Sequence, residues 1–176
     1  MKEFFCSWDK TAIIITILAV ILVLATAIFM IVKYTKRYKM HGKNQGFVIL
    51  SLIIAYLLPC VLIVIFLYMP TKICVNNEKL VVNQIKGNIT IPLNEILEIR
   101  ELQKDEMSNG FRTFGSGGLF GYLGYFGNSQ LGKYQIYARS RKNSFLVKTT
   151  ENKNFVFSCE KRDKLIQIVN NQINKQ

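Results

Sequence analysis

The chain has 176 residues, half of them hydrophobic, and a formal charge of +12 from 23 basic and 11 acidic side chains. Residues 11–69 are largely apolar, whereas 70–176 have an ordinary soluble composition, enough for one compact core and too little for two domains. The basic excess comes without a nucleic-acid-binding motif and beside two apolar runs, so nucleic acid is not the expected partner; an anionic surface, lipid headgroups or an acidic protein, fits better.

Two uncharged runs come first, 22 residues at 11–32 and 23 at 47–69, bracketed by Lys10 and Lys33 and followed by a polar stretch. A bilayer core of roughly 30 Å needs about 20 helical residues, so both runs predict transmembrane helices and 1–69 a membrane anchor. The first run is too long for a cleaved signal segment and ends on Phe29-Met30-Ile31-Val32 without a cleavage site, so it is expected to be retained. Pro59 removes a backbone donor and predicts a bend in the second helix. Neither run carries a charge, which argues against a transport pathway.

The connecting loop, 33–46, holds Lys33, Lys36, Arg37, Lys39 and Lys43, while the outer flanks are poorer in cations. The positive-inside rule places that loop in the cytoplasm and both termini on the outer side of the membrane. Trp8, Tyr34 and Tyr38 suit the membrane interface, where anionic headgroups are a further possible contact for the loop cations.

After Met69 the pattern changes to short β-type alternations. Strands are predicted around 73–75, 80–85, 89–91, 96–102, 134–138, 145–149 and 155–157, about seven, with turns at Asn76-Asn77, Lys86-Gly87-Asn88 and Asn143-Ser144. Ser158 reads as the N-cap of a last helix, with Glu160 in its first turn and Leu165, Ile166, Val169 and Ile173 on one face. The fold class is a two-helix transmembrane hairpin followed by a mainly β domain, 70–176, of antiparallel strands in a barrel or sandwich capped by that helix.

Between the strands, residues 111–127 collect six of the eleven glycines and six aromatics. The segment reads as a long glycine-aromatic loop that must pack or bind something. The candidate binding residues are Arg112, Phe114, Gly115, Gly117, Gly118, Phe120, Gly121, Tyr122, Gly124 and Phe126. About half the aromatics are expected inside and the rest exposed on one side. Arg112-Thr113-Phe114-Gly115-Ser116-Gly117-Gly118 with Phe120-Gly121-Tyr122 and Phe126 resembles the glycine-aromatic signature of a bacterial pleckstrin-homology (PH) domain family. The order of strands, signature, paired strands and final helix is also similar over about 70–175. The resemblance implies a seven-strand barrel capped by a helix and leaves the ligand open. The sequence departs from that family at Arg139, where threonine is common, and at Cys159, where proline is common.

No catalytic constellation emerges. Gly127 to Tyr134 nearly spells a phosphate-binding loop, but Tyr134 replaces the magnesium-binding hydroxyl and the segment enters a strand rather than a helix. The single histidine, His41, lies in the basic loop, Asp105 and Glu106 read as solvated, and Cys6, Cys60, Cys74 and Cys159 form neither a C-x-x-C pair nor a zinc pattern. The expectation is a non-catalytic, cofactor-free module at the bilayer, engaged in protein interaction or scaffolding through an unidentified protein partner or a second copy. The alternative is binding of anionic lipid or another polyanion through the basic domain surface. A Cys74–Cys159 disulfide is conceivable but not favoured.

Overall fold

The computed structural model describes residues 1–38, 45–103, 105–107 and 110–174; Lys39, His41 and Lys43 of the basic loop lie outside the described residues. A short strand, β1 (Lys2–Phe5), precedes two long helices, α1 (Lys10–Tyr38) and α2 (Gln45–Leu67). Both helices are long and apolar enough to cross a membrane, and 11% of the first candidate span and 0% of the second is buried by the rest of the chain. They are therefore not core helices of the β domain, whose core is complete without them. Pro59 lies inside α2.

Nine further strands follow: β2 (Pro70–Val75), β3 (Lys79–Gln84), β4 (Asn88–Pro92), β5 (Ile96–Glu101), β6 (Phe111–Gly118), β7 (Gly121–Asn128), β8 (Gly132–Ala138), β9 (Ser144–Thr149) and β10 (Asn154–Ser158), then α3 (Arg162–Ile173). They form a four-stranded sheet, β1-β2-β3-β4, and a six-stranded sheet, β5-β9-β10-β8-β7-β6. The mainly β domain with a C-terminal helix stands as expected, and its two sheets do not close into a barrel. Pairing is antiparallel except for β8 with β10, which run parallel. All seven expected strands are present. The three additional ones are β1, paired with β2 from Lys2↔Val75 to Phe5↔Lys72, and the β6–β7 pair.

Local chemistry explains the turns. Asn76 Oδ1 accepts the backbone N–H of Glu78 at 3.0 Å and of Lys79 at 2.7 Å, closing the β2–β3 turn. Asn128 Oδ1 does the same for Gln130 and Leu131 between β7 and β8. The expected N-cap at Ser158 is not formed. Ser158 ends β10, its Oγ accepts the N–H groups of Arg139 and Ser140, and α3 begins only after Lys161. Tertiary bonding between strand ends outcompetes the cap, and Asp163 rather than Glu160 supplies the first-turn acid.

Alternation along β8, β9 and β10 covers both faces of the six-stranded sheet at its centre. Phe145, Val147 and Phe157 point to the four-stranded sheet, meeting Ile73, Leu80, Val82, Leu93 and the α3 residues Leu165 and Val169. Leu146, Val156, Ile136, Tyr134, Tyr122 and Phe126 point the other way, under Leu102, Met107 and Leu131. Each fully buried Phe, Leu or Ile contributes roughly 1.5–3 kcal/mol relative to exposure.

The four cysteines are unbonded, and Cys6 and Cys159 are buried in the inter-sheet core. Burial pushes both thiols up to about 12. An unfolded thiol ionises near pH 8.5 while the folded ones stay protonated, so their contribution to stability is complete below that pH and lost as pH rises toward 12. Denaturant midpoints of the detergent-solubilised chain should fall progressively between about pH 9 and 12. A Cys6→Ser/Cys159→Ser variant should show a smaller fall; an equal fall in both would assign the alkaline loss to other groups.

Candidate interaction site

The glycine-aromatic segment is not a loop. It is the β6–β7 hairpin, paired from Phe111↔Gly127 to Gly118↔Gly121, with a bulge between Arg112 and Phe114. Glycine makes this possible at the centre. At Gly124, with φ +117°, a Cβ would stand 2.2 Å from the Phe114 carbonyl oxygen and 2.8 Å from the Cα of Gly115. Gly115, its register partner at φ +124°, meets the Leu123 carbonyl in the same way. No L side chain fits at either position.

The hairpin sorts the aromatics by face. Tyr122 and Phe126 are buried, and Phe126 stacks on Tyr134 with centroids 6.0 Å apart. Phe111, Phe114 and Tyr125 are 64%, 74% and 51% exposed. Phe114 and Tyr125 are register partners, and Phe111 sits over Gly127, two residues along β7, so the three lie side by side. Alternation puts them on the sheet face that the four-stranded sheet covers further along. Here β6 is the sheet edge and that face is open. Arg112 is exposed on the same strand, with Nη1 beside Gly117, and no carboxylate pairs with it among the described residues.

The hairpin tip meets the two long helices. Gly118 lies so close to α1 that a Cβ would stand 2.8 Å from Ile15 Cδ1. The Phe120 N–H donates to Thr16 Oγ1 at 2.9 Å, and that hydroxyl donates to the Ala12 carbonyl at 2.7 Å. The Phe120 ring packs edge-on against Trp8 at 6.5 Å and Phe66 at 5.4 Å. Phe120 has φ 56°, a conformation costing a non-glycine residue roughly 1–2 kcal/mol, and this contact holds it there. Since Trp8 precedes α1 and Phe66 ends α2, the helices present opposite termini to the domain and run antiparallel. Ser116 Oγ closes the tip by donating to the Leu119 carbonyl at 2.7 Å. Gly121 completes it, since a Cβ there would stand 2.6 Å from the Ala138 carbonyl oxygen on β8.

The ten candidate residues thus fall into five groups. Phe114 is on the open face, Tyr122 and Phe126 in the core, and Gly118, Phe120 and Gly121 at the tip; Gly115 and Gly124 form the close pair, and Arg112, register partner of Phe126, lies beside Gly117 on the face opposite Phe114. Sequence reasoning left Phe111 and Tyr125 out of the site and did not reveal that Trp8, Thr16 and Phe66 receive the tip. A hydroxyl within an apolar run was the available signal for Thr16.

The charges nearby are unevenly matched. Arg100 is held by Glu106 at 2.7 Å and Glu98 at 3.0 Å, which keeps the Glu106 carboxyl below its usual range. Arg141 lies over the Tyr122 ring at 4.4 Å, and Arg139 over Trp8 at 5.2 Å. Among the described residues no three His, Cys, Asp or Glu side chains converge as a metal site.

The glycine geometry predicts a sharp contrast. Gly124→Ala should cost about 2–5 kcal/mol, combining a disallowed φ with a backbone clash. Gly117→Ala, where a Cβ meets the movable Arg112 side chain at 3.3 Å and no other described residue within 4 Å, should change stability by about 0.5 kcal/mol at most. Thermal unfolding of the two variants in one detergent measures both; equal effects would refute the hairpin register.

The profile of the family described as Bacterial PH domain matches residues 71–173. No curated protein and no solved structure matches the chain. The match spans β2 through α3 and includes the whole hairpin whose glycines and aromatics make up the site. By that match, which covers more than half its length, the chain belongs to the bacterial PH domain family.

Proposed function

We propose that this chain is a membrane-anchored, non-catalytic interaction module in which α1 and α2 hold the PH domain at the bilayer and the outer face of the β6–β7 hairpin binds a protein partner. The observation carrying this reading is the side-by-side exposure of Phe111, Phe114 and Tyr125 at a sheet edge, on a face covered elsewhere in the same sheet. An edge strand offers unpaired backbone groups to an incoming segment, and clustered exposed aromatics are typical binding anchors. The exposed apolar sides of both helices support the anchor, since only lipid or another apolar surface would cover them at low cost. Family membership supports a binding role over a catalytic one.

A photo-crosslinking residue at position 114 of the full chain, activated in native membranes, should give a discrete protein adduct. An adduct of twice the chain's mass identifies a second copy; another mass identifies a different protein. Tyr125→Ala should reduce the adduct at least several-fold without lowering the unfolding temperature, since an anchor of about 2 kcal/mol corresponds to roughly thirtyfold in affinity. Crosslinks to lipid alone, or none, would refute the reading.

The basic loop, 33–46, is taken as cytoplasmic and both termini as external. A reporter that requires export should be active when fused after the last residue. Activity of only a cytoplasm-dependent reporter there would invert the orientation.

A further inference from the structure

Arg139 is held firmly but has no counter-charge among the described residues. Its N–H donates to Ser158 Oγ at 3.1 Å and its carbonyl accepts the Asp9 N–H at 3.1 Å, so the backbone is fixed between β10 and the start of α1. Nη1 donates to the Cys6 carbonyl at 3.1 Å, and the guanidinium lies over Trp8. Nε is buried without a partner. Arg100 and Arg162 each pair with two carboxylates, whereas none pairs with Arg139 among the described residues. Asp9, whose backbone touches it, turns Oδ1 to the Thr11 N–H instead. Burial lowers the Arg139 pKa, and Cys6 is the one titratable group opposing that shift. A guanidinium does not give up its proton, so half-burying it unpaired is costly unless an anion arrives from outside the chain.

The position indicates which anion. Asp9 directly precedes Lys10, the first residue of α1 and of its candidate span, so Arg139 stands where the apolar run begins. In a bilayer that level is occupied by headgroup phosphates, and Trp8 is the side chain best suited to it. Lys10 and Arg141, both exposed, add positive charge at the same end of the domain.

We propose that Arg139 forms a binding site for the phosphate group of a membrane phospholipid, which supplies the counter-charge that no described residue provides. Four of the five guanidinium N–H groups make no bond within the described chain, and a phosphate accepts charge-assisted hydrogen bonds from such a fork. A net-anionic headgroup is favoured over a zwitterionic one, whose own cation competes. This site rests on the membrane anchoring proposed above but not on the protein partner.

The test uses the full chain, purified in detergent and stripped of lipid, with phosphatidylglycerol, phosphatidylcholine or inorganic phosphate added at equal concentration. Phosphatidylglycerol should raise the unfolding temperature of the wild type more than phosphatidylcholine does, and inorganic phosphate should not. Arg139→Gln should weaken the phosphatidylglycerol effect about tenfold in concentration, the loss expected when charge-assisted hydrogen bonds go. Arg139→Lys, which keeps the charge and loses the fork, should fall between. A full phosphatidylglycerol response in Arg139→Gln overturns the site, as does one in Arg139→Lys should the Gln variant fail to fold. An equal response to inorganic phosphate overturns the lipid assignment. Flotation with phosphatidylglycerol vesicles separates the two readings: wild type and Arg139→Gln should both float, and failure of both to float refutes the anchoring itself.

Discussion

The structure turns on one aromatic contact. Phe120, held in a left-handed backbone conformation at the hairpin tip, places its ring between Trp8 and Phe66 and its N–H on Thr16. That contact joins three separate stretches of chain, the start of α1, the end of α2 and the β6–β7 hairpin. It sets the direction in which the hairpin leaves the helices and hence where the open aromatic face stands. The positive φ of a bulky residue is unfavourable alone and persists because three independent contacts specify it.

The N-terminal segment makes the joint two-sided. β1 extends the four-stranded sheet, Cys6 donates to Thr71, Phe5 accepts from Glu160, and Asp9 reaches Arg139. Residues on both sides of the first long helix are therefore tied into the same β domain. Arg139 and Cys159 both lie in this region: Arg139 binds the Cys6 carbonyl, and Cys159 shares the inter-sheet core with the Cys6 side chain. Both residues thus receive a segment outside the matched residues 71–173.

Burial on both faces of the six-stranded sheet explains why the hairpin aromatics separate as they do. The face carrying Tyr122 and Phe126 is closed by Leu102, Met107 and Leu131. The opposite face is closed only as far as the four-stranded sheet extends, and β6 and β7 run beyond it. Exposure of Phe111, Phe114 and Tyr125 thus follows from unequal sheet widths, four strands against six, rather than from any property of those residues.

Periodicity made much of this legible. Two uncharged runs longer than a bilayer core, seven of the strands, the stripe of Leu165 and Val169 on the final helix and the glycine-aromatic signature are all local patterns, readable because burial imposes a period on the sequence. The hairpin was not legible as strands, because glycine has low β propensity, and its value here, a close approach of Gly115 and Gly124, exists only once the partner strand is present. β1 is four residues long and gains its sheet through β2, some seventy residues away. Ser158 satisfies a local capping rule, yet bonds to Arg139 and Ser140 across the sheet, since a strand end brought close by the fold offered better-placed donors than a helix beginning further on. The sequence by itself determined which segments are apolar, extended or helical. Only the tertiary structure decided which aromatics are covered, which arginines pair with a carboxylate and which residues receive the hairpin tip, because those depend on contacts between segments far apart in the chain.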